Sequence, residues 1–237
     1  MSFDKLSSPN LKDLFIQRIQ GMILSGELLV GSRLPPERTL AEQMNISRTV
    51  VNSGLAELAE QGFLEVRPRQ GTYVADYRRH GNLSTLTAVL EYKEGALGKE
   101  EIRSVLEVRR ALERLAADRA IRYASDEDME RLGVSLTHIA AAAGPDEAAQ
   151  AAFTFRHELA LAGGNTILPL IFCSFKDTLI ALWARYCGQY GNLALVRNTE
   201  TLYSFLRKRD ADGASCWINA YLERIISGSQ QIYEPQQ

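Results

Sequence analysis

The stretch from Pro35 to Val74, PPERTLAEQM NISRTVVNSG LAELAEQGFL EVRPRQGTYV, decides the fold. Pro35-Pro36 stand where a first helical turn needs no N–H donor, and Glu37 opens a short helix with Leu40, Ala41 and Met44 facing inward. Asn45-Ile46 makes a turn, and Ser47 is a good N-cap because its hydroxyl can accept from the free amides of the next first turn. In that second helix Val51, Leu55, Leu58 and Ala59 form an apolar stripe. The opposite stripe is Thr49, Asn52, Ser53 and Ala56, short and uncharged, with Arg48 at its N-terminal shoulder. Gly62 ends the helix, and two strand-like runs, Phe63 to Val66 and Thr72 to Val74, are joined by Arg67-Pro68-Arg69-Gln70-Gly71. Two angled helices followed by a hairpin suit a DNA groove: small polar side chains approach base edges, and arginines reach phosphates.

Working outward, Leu11, Phe15, Ile19 and Met22 share one face of a helix that stops near Gly26. Gly54 inside the second helix of the pair costs up to about 1 kcal/mol relative to Ala and is expected to serve close packing. Residues 77–83 read as a polar linker between a first domain, 1–76, and a second, 84–237. The second holds no convincing strand pairs. Val105, Val108, Leu112 and Leu115 mark a face of a helix from Lys99 to Tyr123. Ser125 to Asp128 reads as a capping box, and further helices are expected to Gly163, over Ile167 to Cys187, Thr199 to Lys208 and Ala211 to Ser227. The fold class is therefore mainly α, ending in an antiparallel helical bundle.

Composition excludes several classes. With 46% hydrophobic and 24% charged residues the 237-residue chain is of ordinary globular make-up, and its net charge of −2 carries no overall nucleic-acid signal. From Met1 to Asp76 there are 8 Lys/Arg against 9 Asp/Glu, so any DNA affinity depends on where the charges sit. Three cysteines, Cys173, Cys187 and Cys216, form no C-x-x-C pair and fit a reduced, cytoplasmic compartment. No leader opens the sequence and no apolar run approaches the ~18 residues of a membrane span. An enzyme with an accessory DNA-binding-like domain finds no G-x-S-x-G, G-x-G-x-x-G or phosphate-loop motif here, so no catalytic residues are assigned. A module used only for protein contacts would not need Arg38, Arg48 and Arg69 on one surface.

The runs Leu34 to Ala41, Ile46 to Val51, Gly62-Phe63-Leu64 and Arg67 to Val74 together resemble the winged helix-turn-helix domain of bacterial GntR-family transcription regulators. The resemblance implies DNA contacts from Arg38, Ser47, Arg48 and Thr49, with Arg69, Gln70 and Gly71 of the wing in the minor groove. Asn52 stands where the family usually has Arg, and Asn favours adenine where Arg favours guanine. Val105 to Glu113, Ser125 to Asp128 and Leu161 to Asn165 resemble the all-helical effector-binding and dimerisation domain of the FadR-like branch. That resemblance implies a homodimer bound to double-stranded DNA and regulated, as a repressor, by a small-molecule effector. Many members of that branch hold a metal between an Asp-x-x-x-His pair and two later histidines. Counted from Asn165, those positions fall on Ala152, Arg156, near Thr199 and on Tyr221, and His157 is the last histidine in the chain, so neither metal nor other cofactor is expected. Arg109, Arg156, His157, Asn165, Tyr186 and Tyr221 are the candidate effector residues. Two readings stay open for the buried arginines: an anionic effector such as an organic acid, sugar acid or acyl-coenzyme A, or simple pairing with Glu113 and other carboxylates.

Overall fold

The computed structural model describes residues 10–92 and 99–233 and divides the chain into two compact units, Met1–Lys93 and Glu94–Gln237. In the first, α1 (Leu11–Leu24) starts at Asn10, whose side chain accepts from the Lys12 amide. It buries Phe15, Ile16, Ile19 and Ile23, while Leu11 stays exposed. Next come α2 (Glu37–Met44) and α3 (Arg48–Glu60). Asn45 turns the chain between them in the left-handed region, φ 52°, which Asn tolerates better than most residues. Ser47 caps α3 by accepting from the Val50 amide at 3.3 Å. Val51, Leu55 and Leu58 of α3 meet Phe15, Ile19, Leu40 and Phe63 in one core.

Gly54 lies on that buried face. A Cβ built there would stand 2.4 Å from Phe15 Cδ1, so α1 and α3 approach as closely as they do only because residue 54 has no side chain.

Strands β1 (Leu64–Arg67) and β2 (Gly71–Val74) pair antiparallel, Leu64 opposite Val74 and Arg67 opposite Gly71. The segment from Gly31 to Leu34 joins the free edge of β2: Gly31 donates to Val74 O, Val74 to Ser32 O and Leu34 to Thr72 O, at 2.8, 2.9 and 2.9 Å.

Beyond the wing the structure departs from the expected linker. Residues Tyr77–His80 form a short helix, α4, and α5 (Leu83–Tyr92) belongs to the first unit and not the second. Ala88 of α5 joins the first unit's core. The junction is polar: Asn82 Nδ2 donates to Glu60 O at 2.8 Å, Asn82 Oδ1 accepts from the Ser84 and Thr85 amides, and the Thr85 hydroxyl donates to Gln61 O. Carbonyls left open at the end of α3 are thereby satisfied by the segment leading into α5.

The second unit, over its described residues, comprises α6 (Lys99–Tyr123), α7 (Asp126–Ala141), α8 (Pro145–Ala162), α9 (Leu168–Ser174), α10 (Lys176–Tyr190), α11 (Asn192–Arg207) and α12 (Ala211–Ile226). The capping box at Ser125 and Asp128 forms in both directions. Helix α8 lies at the centre, against α6, α7, α9, α10 and α11, and its buried Ala148, Ala149, Ala152 and Ala160 let those neighbours approach. Arg209, itself at φ 55°, closes the end of α6 by donating to the carbonyls of Ala120, Ile121 and Ala124.

Two expectations change. The helix expected over Ile167 to Cys187 breaks at Phe175 into α9 and α10. On α6, Val108 and Leu115 face outward, and the inward face carries Ile102, Val105, Leu106, Arg109, Glu113 and Ala116. A charged pair occupies positions that apolar periodicity gives to aliphatic residues.

Candidate nucleic-acid interface and the bundle interior

On the first unit, Arg48, Thr49, Asn52, Ser53 and Ala56 all lie exposed along α3, opposite its buried stripe. The outward face therefore has the small, uncharged character expected of it. Arg38, on the first turn of α2, is exposed and pairs with Glu42 at 2.9 Å, a solvent-side pair that another anion can replace at little cost.

At the wing, Arg67 is held down: its guanidinium bonds Glu65 at 2.9 Å and lies 4.3 Å from the Tyr73 ring centroid. Arg69 and Gln70 occupy the exposed tip, with Arg69 at φ 62° and the Gln70 amide donating to Arg67 O. Gly71 sits at φ 115°, a conformation that favours glycine, and a Cβ there would stand 2.9 Å from Arg33 Nε, so the Arg33 side chain would have to shift.

Arg33 was not singled out by sequence. Its place depends on Gly31 to Leu34 pairing with a strand forty residues later in the chain, which no local periodicity signals. Arg33, Arg38 and Arg48, with one carboxylate, Glu37, line a shallow concavity beside Gly71 and Thr72, where the wing meets the start of α2 and α3. Ser47 borders the interface, but its oxygen is engaged in capping.

In the second unit the structure brings together four of the six residues expected around an effector. Arg109, Arg156, Tyr186 and Tyr221 are each 3% exposed or less, as are Glu113, Trp183 and Thr199. Arg109 Nε donates to Glu113 Oε1 at 2.6 Å. The same oxygen lies 3.6 Å from Arg156 Nε, too long for a hydrogen bond but close for charges. Arg156 Nη1 donates to Thr199 Oγ1 at 2.9 Å. Both guanidiniums flank Trp183, at 4.3 and 5.4 Å from its ring centroid. The Tyr186 hydroxyl accepts from Asn198 Nδ2 at 2.9 Å and meets Tyr221 edge to face.

Among the described residues of this cluster two guanidiniums share one carboxylate, an excess of one positive charge. Burial works to lower the Arg109 pKa, but Glu113 and Tyr221 together more than offset it and the value is raised. Burial depresses Arg156, where Glu113 opposes the fall and the like charge of Arg109 adds to it. Burial also pushes the Tyr186 phenol up to about 12.

The other two candidates lie elsewhere. His157 faces α9, with Nε2 3.3 Å from Cys173 Sγ and its ring stacked on Phe153. Asn165 is a turn residue whose Oδ1 accepts from the Ile167 and Leu168 amides at the start of α9. Glu113, Trp183 and Thr199 complete the cluster. The helical spacing of Arg109 and Glu113, four residues apart, was the available signal for their pairing.

Residues 13–74 match the model of bacterial regulatory proteins of the gntR family, and residues 104–224 match the FCD domain. The chain is 32% identical over 160 residues to the HTH-type transcriptional regulator LutR of Bacillus subtilis, covering 67% of this chain and 71% of that one. It is 30% identical over 233 residues to an Escherichia coli protein whose name links it to an L-lactate dehydrogenase operon, covering 95% and 89%. Similarity to Mce2R of Mycobacterium tuberculosis, 35% over 109 residues, spans 46% of this chain and 45% of that relative, about half its length. In fold the chain is similar to the solved structure of Lar, described as controlling the Listeria monocytogenes agr system, with TM-score 0.62, 14% identity and coverage of 95% and 98%. With both of its domains matched in order, the chain belongs to the GntR family of bacterial regulatory proteins and carries an FCD domain as its second half.

Proposed function

We propose that this protein is a cytoplasmic, homodimeric repressor that reads an operator half-site with α3 and the wing and is released from DNA by a small anion bound in the second unit. The observation that carries the DNA reading is the single face on which Arg33, Arg38 and Arg48 surround the start of an uncharged, exposed α3 stripe. Arg33 and Arg38 at the rim hold phosphates, Arg48 stands at the helix start beside the base edges, and Thr49, Asn52 and Ser53 are short enough to let the helix sit deep against them. A twofold dimer would set two such faces about 34 Å apart or a multiple of it. Release requires the anion to bind the DNA-free arrangement more tightly than the DNA-bound one.

The excess positive charge in the second unit supports an anionic effector, and the name of the Escherichia coli relative makes lactate the first to try. A gel-shift titration against DNA from the protein's own upstream region, repeated at several stated salt concentrations, tests the proposal. A specific shift that weakens with salt is expected, and its absence at every concentration would sink the regulator reading.

A further inference from the structure

The four positions at which the family resemblance expects metal ligands fall on Ala152, on Arg156, near Thr199 and on Tyr221. These residues do not fit a metal ion: a methyl group offers no lone pair, hydroxyls are poor ligands while protonated, and a guanidinium repels cations. Arg156 is fully buried and fixed, bonded to Thr199 and facing Glu113. We propose that the Arg156 guanidinium takes the place of the metal, making the bundle interior a receptor for a small oxyanion that works without any divalent cation. The inference rests on the anionic-effector reading above and specifies how this chain supplies the charge.

The chemistry of the cluster favours an oxyanion over other occupants. Among the described residues of the cluster, Arg109 Nη2, Arg156 Nε, Trp183 Nε1 and the Tyr221 hydroxyl, which can donate or accept, are buried without a hydrogen-bond partner, as is the acceptor Glu113 Oε2. Buried polar atoms are nearly always satisfied in folded proteins, so a group of them at one place marks a site that a polar partner completes. Three N–H donors and a hydroxyl, against a single carboxylate oxygen, match a carboxylate or phosphate, which accepts several bonds at once, and mismatch a cation. Arg156 and Arg109 together outweigh Glu113 by one charge, which a monoanion cancels in a medium where an uncompensated charge is costly. A metal provides its charge only when bound, whereas Arg156 carries its own on the chain.

The experiment uses the full chain, exhaustively dialysed against EDTA. Metal content is measured directly, and the thermal midpoint is followed in acetate, lactate, citrate or phosphate, with and without EDTA and with added Zn²⁺, Ni²⁺ or Mn²⁺. The expected result is no stoichiometric metal, and a midpoint raised by at least one anion to the same extent with or without EDTA. Arg156→Gln should weaken that anion by about ten- to hundredfold, as expected for losing a bond to a charged group, and Arg156→Lys should retain part of the binding. Should Arg156→Gln fail to fold, the EDTA comparison on the unaltered protein still decides. Retained stoichiometric metal, an anion effect abolished by EDTA, or undiminished binding by Arg156→Gln would each overturn the inference and leave the anionic-effector reading standing. A midpoint unmoved by every anion would overturn both.

Discussion

Glu113 Oε1 lies 3.6 Å from Arg156 Nε, linking α6 to α8 through the same oxygen that accepts from Arg109. One carboxylate thus separates two buried cations. Replacing it leaves both guanidiniums uncompensated, whereas replacing Arg156 leaves a balanced Arg109–Glu113 pair. Glu113→Gln is therefore expected to lower stability by about 3–5 kcal/mol, and Arg156→Gln by clearly less. Denaturant midpoints of the two variants measure the order, and a costlier Arg156→Gln would show that the charges are balanced by other groups.

Helix α3 rests on α1 through the contact of Gly54 with Phe15. Gly54→Ala gains about 1 kcal/mol of helix propensity, yet must displace a packed ring, and a net loss of about 1–3 kcal/mol is expected. Phe15→Leu in the same chain should recover part of that loss. Stabilities of the two single variants and the double variant test the coupling; simple additivity would place the cost elsewhere.

At the proposed DNA face, Arg33 and Arg48 should differ in kind. Arg33→Ala is expected to weaken all DNA sequences about equally and to reduce the salt slope by about 1, as loss of one phosphate contact does. Arg48→Ala should abolish operator selection while leaving dimerisation intact. Asn52→Arg should shift base preference toward guanine at one position of each half-site. Binding to a randomised operator library at two salt concentrations separates these outcomes, and an Arg48→Ala protein that still selected the operator would remove α3 from its assigned role.

Alkaline pH should destabilise the second unit. Burial raises the Cys187 thiol from 9.0 to about 11 and the Tyr186 phenol from 10.0 to about 12. The unfolded chain loses these protons first, so above about pH 9 it binds fewer than the folded chain, and stability falls as pH climbs toward the folded values. A thermal midpoint that stays level from about pH 8 to about pH 11 would contradict this. At about pH 8, exposed Cys173 and Cys216 should react readily with a disulfide reagent, while Cys187 waits for unfolding.

Much of the architecture was legible in the sequence because its signals are local. The cap at Ser47, the box at Ser125 and Asp128, and the extent of α6 all follow from neighbouring residues. What was misread depends on distant partners. Val108 and Leu115 were placed inside by apolar spacing, but Arg109 and Glu113 can occupy that face because they neutralise each other across one helical turn and meet Arg156 on another helix. The break at Phe175 has no proline or glycine to announce it. Arg33 acquires its position only when its segment pairs along β2, and α5 joins the first unit through bonds from Asn82 and Thr85 to the end of α3.

Those last bonds also tie the start of α5 to the end of α3. The chain leaves the first unit along α5, and α5 is fastened at its start to the carbonyls of Glu60 and Gln61. Helix α5 also packs on α1, so a change in the position of α5 would be shared between α1 and the last turn of α3.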